Sequence, residues 1–246
     1  MQSRVRRTLV KLALQNPLSR WLSRIFDRKI MALLNQDARN IERVLWRRAL
    51  EDTVDFIEAH LLDAPSFSDR WTLMDYALTQ VGPPAHGLYC EFGVWEGSSL
   101  NFIALRAKTT VFGFDSFQGL PEKWRDQLDK GAFRVAQLPK VRPNVVLVKG
   151  WFDKTIPDFL VRRTELASFL HIDCDLYSST KTVLTLLCNR IQPGCVIVFD
   201  EYFNYPGWRE GEFKAFNEFV QSNGIQFEYL GYCRYAQQVA VRITHV

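Results

Sequence analysis

From Gly87 onward, short apolar runs alternate with stretches of helical periodicity. This alternation is typical of βα units, in which parallel strands are joined by crossover helices. The apolar runs are 88–92, 110–114, 144–149, 167–172 and 195–199, and two further runs at 225–230 and 238–243 resemble a closing hairpin. The sequence therefore predicts an α/β fold with a mainly parallel seven-stranded sheet and a C-terminal antiparallel hairpin.

The predicted helices fall into two groups on either side of Gly82. Those between the apolar runs are expected at 98–107, within 121–139, and at 154–163, 177–190 and 208–222. Those that precede the first run are expected at 4–14, 18–34, 39–62 and 69–81. We therefore divide the chain into an N-terminal helical region, 1–82, and an α/β domain, 83–246. The first region is expected to act as a lid, a docking surface or a dimer interface.

The formal net charge of +4 is distributed unevenly along the chain. Residues 1–50 contain 12 Lys or Arg against 3 Asp or Glu, so they carry +9 and the remainder carries −5. A basic segment of this kind suits an anionic substrate, a membrane surface or an acidic face of another subunit. We expect a homo-oligomer or a peripheral membrane contact through these helices, and no nucleic-acid partner. A solvated helix surface is the simpler alternative.

Composition places the chain among cytoplasmic proteins, at most peripheral to a membrane. No apolar run approaches the roughly 20 residues that span a bilayer, and the first residues lead into charged helix rather than a signal-peptide core. The five cysteines show no C-x-x-C spacing, which argues against a zinc site or a disulfide scaffold.

The first strand and helix of the α/β domain are joined by a glycine-containing turn. Gly93 and Gly97 would let the backbone approach a ligand closely, and Ser98 or Ser99 can cap the helix whose first amides face it. Asp115 ends the second strand, 22 residues after Gly93, where such folds offer a carboxylate to ribose hydroxyls. The turn and Asp115, with its neighbour Ser116, predict an adenosine-type cofactor. An ordinary βα turn and a capping Asp are the alternatives.

The identity of that cofactor is inferred from what the turn lacks. A dinucleotide site favours three glycines beside the pyrophosphate, whereas this turn has two glycines preceded by Glu91, whose carboxylate would repel phosphate. Glu91 suits the ammonium and sulfonium groups of S-adenosylmethionine, unless it is only a strand-end residue bonded to the loop. Gly150 and Trp151 follow the third strand, where the adenine pocket is expected, although Trp151 could also be core.

Two neighbouring strands each end in a pair of acidic residues, Asp173 with Asp175 and Asp200 with Glu201. Four carboxylates at one sheet edge repel one another unless a cation or a proton offsets their charge. Oxygen ligands without His or Cys favour Mg²⁺ or another hard divalent cation over zinc. The alternative is a set of capping and ribose-binding carboxylates with no metal.

Other side chains near these strands are open to two interpretations. His171 could help to position a substrate, or it could be a satisfied histidine near the sheet edge. The aromatic residues Phe203, Tyr205 and Trp208 could stack on a sugar ring or serve the core.

Four motifs of this sequence together resemble the macrocin O-methyltransferase family. They are Glu91–Gly97, Asp115–Pro121, Asp173–Tyr177 and the stretch from Pro193 to Tyr202, and the resemblance covers roughly residues 88–220. It implies a Rossmann-like Class I methyltransferase fold, a sugar hydroxyl as the methyl acceptor, and S-adenosylmethionine and a divalent metal as cofactors. The acceptor would be a small molecule or a glycan.

The resemblance also implies roles for individual residues. Asp173, Asp200 and Glu201 are the expected metal ligands, and Asp175 is the expected general base, so that Asp173 and Asp175 carry the catalysis. Asp173 also contributes to the cofactor site. Glu201 departs from the family pattern, which usually has Asp there, and its extra methylene leaves its role as a ligand open.

Two alternative functions remain at this point. A metal-dependent catechol-type O-methyltransferase would use the same groups on a flat phenolic acceptor. A non-catalytic, membrane-associated scaffold that binds S-adenosylmethionine would use the basic segment instead. The sequence does not distinguish a small glycoside, a nucleotide sugar and a lipid-linked glycan as acceptor.

Overall fold

The computed structural model of the protein describes residues 21, 24–32, 39–82, 87–125 and 128–246. Two compact units are distinguished, Met1–Arg48 and Ala49–Val246. The backbone is helical at 24–32, within the predicted helix 18–34, whereas the predicted helix 4–14 lies outside the described residues. A longer helix, α1, extends over Ile41–His60, as its predicted range of 39–62 anticipates.

The unit that begins at Ala49 is built around a sheet, which we call the sheet unit. After α1 its elements are β1 (Ser66–Phe67), α2 (Arg70–Thr79), β2 (Leu88–Phe92), α3 (Ser98–Arg106), β3 (Val111–Asp115), β4 (Val145–Lys149), α4 (Phe152–Arg162), β5 (Ala167–Ile172), α5 (Tyr177–Leu187), β6 (Val196–Phe199), α6 (Glu212–Asn223), β7 (Gln226–Cys233) and β8 (Val239–His245). Short 3₁₀ helices follow α5 and precede α6.

Within the described ranges, the sheet has eight strands in the order β1-β7-β8-β6-β5-β2-β3-β4. The five strands β2 to β6 pair in parallel, and β8 runs antiparallel to both β6 and β7. The predicted parallel sheet with a C-terminal antiparallel hairpin is therefore confirmed. The additional strand is β1, which pairs with the end of β7 and is too short, at two residues, to show a periodicity in the sequence.

The helix predicted within 121–139 is not formed in residues 121–125 and 128–139, which consist of turns and irregular backbone. Gly119 and Gly131 both have positive φ angles, +81° and +87°, and Pro121 and Pro139 flank the segment. Such positions interrupt the regular helical backbone, and proline also lacks the amide that a helix needs. The segment instead forms part of the wall of a cleft.

The central strands are buried over their full length. Every residue of β2, β5 and β6 is buried, as expected for parallel strands covered on both faces. Leu73 of α2 and Leu100 of α3 belong to one core cluster, and Ile156 of α4 and Val183 of α5 to the other. Polar side chains at the carboxyl ends of these strands are consequently displayed at a single, rigidly held edge.

The sheet unit includes elements that the sequence analysis assigned to the N-terminal region. Phe56 of α1 packs 5.5 Å from the ring of Trp208, and Leu73 and Met74 of α2 are buried in the core. The compact sheet unit thus begins at Ala49 and includes α2, and the division into functional regions at 82/83 stays a prediction. In the described part of the chain, none of the helices combines the length and the apolar composition needed to cross a bilayer.

Candidate active site

A cleft of about 520 Å³ opens at the carboxyl ends of the parallel strands. This is the edge at which open α/β sheets bind their ligands. Most of the predicted site residues line the cleft, namely Gly93, Ser98, Asp115, Ser116, Gly150, Trp151, Asp173, Asp175, Asp200 and Glu201. The tertiary structure thus brings together residues that lie more than 100 positions apart in the sequence.

The turn between β2 and α3 depends on its glycines. Gly93 has a φ of +94°, and a Cβ atom there would overlap with the carbonyl oxygen of Asp173. Gly97 is the N-cap of α3 with a φ of +77°, and its Cα faces Pro139 rather than the cleft. Among the residues that the structure describes, no side chain caps α3, contrary to the predicted role of Ser98 or Ser99. The first amides of α3 therefore remain available to a ligand beside the Gly93 turn.

Asp115 organises this turn from the end of β3. Its Oδ2 accepts hydrogen bonds from the amides of Val94, at 2.8 Å, and Trp95, at 2.9 Å, and its Oδ1 accepts one from Phe117, at 2.6 Å. Trp95 has a φ of +46°, which a side chain rarely adopts unless the surroundings enforce it. The carboxylate thus shapes the cleft wall, a role that spacing alone did not indicate. Contact with ribose hydroxyls stays a prediction.

Glu91 does not line the cleft, contrary to the prediction that it contacts the cofactor. It is fully buried on β2 and lies beside His171, its register partner on β5. The distance from Glu91 Oε1 to His171 Nδ1 is 2.7 Å. Because the side chain of a strand residue points to one face of the sheet, the orientation of Glu91 follows from its position in β2.

His171 is held between two carboxylates inside the sheet unit. Its Nδ1 contacts Glu91, and its Nε2 lies 3.7 Å from Asp200 Oδ1. Burial by itself would lower the pKa of His171, but its interactions with the carboxylates of Asp200 and Glu91 outweigh this effect and raise the pKa to about 10. The hydrogen-bonded contact with Glu91, away from the cleft lining, supports the interpretation of His171 as a structural histidine.

The carboxylates that converge in the cleft differ from the predicted metal set. Oxygen atoms of Asp173, Asp175 and Glu201 all lie within 4.8 Å of one another. Asp200, predicted as a ligand, lies 3.2 Å from Arg70 Nη2 and 3.7 Å from His171 Nε2, and its role as a metal ligand stays a prediction. Asp175, predicted to act outside the ligand set, joins the group after a backbone φ of +64° takes the chain out of the extended conformation.

The electrostatics of this cluster favour a bound cation. Burial raises the pKa of Asp173 and of Glu201 well above their usual range, and the neighbouring carboxylates raise both further. Burial and the charge of Asp200 raise the pKa of Asp175 to about 7, although Arg125 opposes this shift. Glu201 Oε2 is buried and has no hydrogen-bond partner among the described residues. The three carboxylates provide hard oxygen ligands, and a positive charge among them would relieve their mutual repulsion. Such a group fits a divalent metal such as Mg²⁺.

Two arginines of the cleft were not identified from the sequence. Arg70, the first residue of α2, places Nη2 3.2 Å from Asp200 Oδ1 and 3.5 Å from Asp173 Oδ2. Arg125 stacks on the rings of Trp124 and Tyr205 and donates to Gln237 Oε1 at 3.2 Å. No local motif marks either residue, because their positions depend on how distant elements pack.

Of the two interpretations of the aromatic residues near β6, the structure supports a role in the core. Phe203, Tyr205 and Trp208 are almost completely buried and belong to the core. The cleft is instead lined by partly exposed rings, those of Trp71, Trp95, Phe133 and Trp151, whose exposed fractions lie between 36% and 48%. Planar apolar groups of a ligand could stack on them.

Comparison with known proteins identifies the kind of domain that contains this cleft. A family model described as a methyltransferase domain matches residues 90–202, which include the glycine turn and both carboxylate strands. The chain is 31% identical over 137 residues to 8-demethyl-8-(2,3-dimethoxy-alpha-L-rhamnosyl)-tetracenomycin-C 4'-O-methyltransferase of Streptomyces olivaceus, covering 46% of this chain and 51% of that protein. It is 29% identical over 165 residues to mycinamicin III 3''-O-methyltransferase of Micromonospora griseorubida, covering 56% and 62%.

These matches confirm the predicted resemblance to the macrocin O-methyltransferase family, at low identity. The chain spans between half and two thirds of the length of these curated relatives. Among solved structures, the calicheamicin methyltransferase CalS11 superposes with a TM-score of 0.58 at 23% identity, covering 82% of this chain and 93% of that one. This likeness confirms the Rossmann-like methyltransferase fold.

Proposed function

We propose that this chain, whose residues 90–202 match a methyltransferase domain, transfers the methyl group of S-adenosylmethionine to a hydroxyl of a sugar or glycoside with the help of a divalent metal. One observation carries the proposal: the carboxylates of Asp173, Asp175 and Glu201 converge in the same cleft as the Gly93 turn. The named activities of the sugar O-methyltransferases that this chain resembles support the choice of acceptor.

The donor is assigned to the side of the cleft formed by the Gly93 turn. Gly93 lines the cleft, the uncapped first amides of α3 favour a carboxylate, and Asp115 holds the wall in place. S-adenosylmethionine bound there would supply an electrophilic methyl group to the acceptor oxygen in an SN2 displacement, in which the new carbon–oxygen bond replaces the carbon–sulfur bond and S-adenosylhomocysteine is the leaving group. Ser116, Gly150 and Trp151 line the adjoining part of the cleft, where we place the adenosine.

The acceptor is assigned to the carboxylate side of the cleft. Asp173 and Glu201 would hold the metal, with Asp200 completing its ligands, so that Asp175 stays free to act as the base. A hard divalent ion there would lower the pKa of a nearby acceptor hydroxyl. Asp175 accepts the hydroxyl proton, because its carboxylate lines the same cleft and is close to the proposed metal ligands. By orienting oxygen, methyl carbon and sulfur in line, the cleft supplies much of the remaining acceleration.

The volume and the aromatic lining of the cleft suit a glycoside as the bound acceptor. Its volume of about 520 Å³ lies in the usual range of roughly 300–1,000 Å³ for small-molecule sites. Partly exposed rings such as those of Trp71 and Phe133 offer apolar faces on which a sugar or an attached aglycone could stack.

The proposal is tested with deuterated S-adenosylmethionine and a panel of acceptors analysed by mass spectrometry. The panel contains nucleotide sugars, glycosides and catechols, and each is incubated with metal-stripped protein, with and without added Mg²⁺. We expect labelled methyl groups on a sugar hydroxyl only when Mg²⁺ is present. Preferential labelling of catechols would refute the acceptor class, and equal labelling without metal would refute the role of the metal.

The same experiment, together with calorimetry, distinguishes an enzyme from a protein that only binds S-adenosylmethionine. If the protein binds S-adenosylmethionine but labels no acceptor, the chain is a scaffold rather than an enzyme.

We further propose that the protein works in the cytoplasm and that its basic segment, residues 1–50, docks on another copy of the chain or on an anionic membrane surface.

A further inference from the structure

Arg70 lies between two of the carboxylates to which the proposed function assigns the metal. Its Nη2 is 3.2 Å from Asp200 Oδ1 and 3.5 Å from Asp173 Oδ2. The residue is anchored at its backbone, because Asp69 caps α2 by accepting from the amides of Trp71 and Thr72, both at 3.0 Å. A rigid helix start therefore delivers a guanidinium to this edge of the cleft.

The contact neutralises part of a concentrated negative charge. Asp173, Asp175, Asp200 and Glu201 all line the cleft. An arginine stays protonated at any physiological pH, so Arg70 supplies a permanent positive charge to two of these residues. Like charges this close would otherwise repel one another strongly.

The guanidinium of Arg70 would oppose the binding of a divalent cation at the same carboxylates. Asp173 contacts Arg70 and also belongs to the group of carboxylates whose oxygens lie within 4.8 Å of one another. A divalent ion held by that group and a guanidinium 3.5 Å from one of its ligands would repel each other, and both would compete for the Asp173 carboxylate.

Arg70 has room to leave this position. About one third of its side chain is exposed, and it borders the open cleft. Its Nε is buried and has no hydrogen-bond partner among the residues described. The guanidinium is therefore held mainly by the two carboxylates, so losing them to another cation would free the side chain.

We propose that Arg70 is the resident counter-cation of the Asp173–Asp200 pair and that a divalent metal entering the site displaces it. This inference rests on the metal-assisted function proposed above. Arg70 would keep the carboxylates in place before the metal binds. Only molecules in which Arg70 has left the pair could bind the metal, so the apparent metal affinity would be the intrinsic affinity multiplied by the fraction of such molecules.

The test is calorimetric titration of the full-length protein with Mn²⁺ alone, without donor or acceptor. Arg70→Met removes the charge and retains an unbranched side chain, and we expect it to bind Mn²⁺ at least 10-fold more tightly than the unmodified protein. Arg70→Lys keeps a positive charge and should bind less tightly than Arg70→Met. Arg70→Gln is measured in parallel, so that a neutral variant is at hand if Arg70→Met fails to fold.

Arg209→Met is the matched control. Arg209 also pairs with an aspartate, Asp52, at 2.8 Å and stacks on a tryptophan, Trp208, but it does not line the cleft. Its replacement should leave Mn²⁺ affinity unchanged. A second signal comes from Trp71, whose ring lies 5.0 Å from the guanidinium carbon of Arg70. Adding Mg²⁺ should change the tryptophan fluorescence of the unmodified protein, and this change should be absent in Trp71→Phe.

The outcomes separate this inference from the proposed function. Equal or weaker Mn²⁺ binding by folded Arg70→Met and Arg70→Gln would overturn the exchange, as would a failure of every variant to bind the metal. Methyl transfer by the unmodified protein is measured separately, so an active, Mg²⁺-dependent enzyme with equal Mn²⁺ affinities would refute only the role of Arg70.

Discussion

Replacing Asp115 by Ala should weaken the binding of S-adenosylmethionine without unfolding the sheet. The carboxylate accepts three amide hydrogen bonds, from Val94, Trp95 and Phe117. These bonds lie within the protein, so their loss lowers ligand affinity only through the free energy needed to reorder the turn on binding. A bond to a charged acceptor contributes about 1.5–3 kcal/mol, and water can replace part of the three. We therefore expect the reordering to cost about as much as one bond, which corresponds to roughly 10- to 150-fold in affinity.

Calorimetry with S-adenosylhomocysteine and its 2′-deoxy analogue measures this loss and identifies its cause. If Asp115 binds the ribose directly, removing the hydroxyl should weaken binding to the unmodified protein more than to Asp115→Ala. If Asp115 acts only by holding the turn, the hydroxyl should contribute equally in both proteins. Asp153→Ala, which removes a carboxylate from the exposed start of α4, is the matched control and should bind normally. Unchanged affinity in Asp115→Ala would remove Asp115 from the site.

Three further predictions address the chemistry, the backbone and the basic segment. Asp175→Asn should retain donor binding by calorimetry but lose roughly 10²–10⁴-fold in methyl-transfer rate, the usual effect of removing a general base, and a rate within a few-fold of normal would contradict this role. Gly93→Ala should reduce the free energy of unfolding, measured in denaturant titrations, by more than Gly131→Ala does. Both positions have positive φ, but of the two only Gly93 places a Cβ against backbone atoms. Equal losses in the two variants would show that the structure relaxes to remove the overlap. Positive φ alone costs a side chain about 1–3 kcal/mol. Deleting residues 1–34 should leave donor affinity unchanged and alter oligomeric state or vesicle binding in sedimentation assays, whereas lost donor binding in a folded protein would argue against a docking role.

Several features of this protein follow from short stretches of sequence. The alternation of apolar runs and helical periodicity predicts the parallel sheet, because strands buried on both faces must be continuously apolar. The same logic places Asp173 and Asp200 at one edge, since parallel strands end on the same side. Gly93 was predicted to allow close approach of a ligand, whereas the structure shows that the position requires glycine because the backbone of Asp173 occupies the place of a Cβ.

The contacts within the cleft were decided by the tertiary structure. Glu91 faces His171 rather than the cleft because β2 and β5 pair in a particular register, which no local pattern specifies. Arg70 reaches Asp173, 103 positions away, because α2 packs beside the sheet. Local periodicity reports which residues are buried and where a strand ends. The partner of a buried charge depends instead on the packing of distant elements, and the electrostatics of the site follow from that packing.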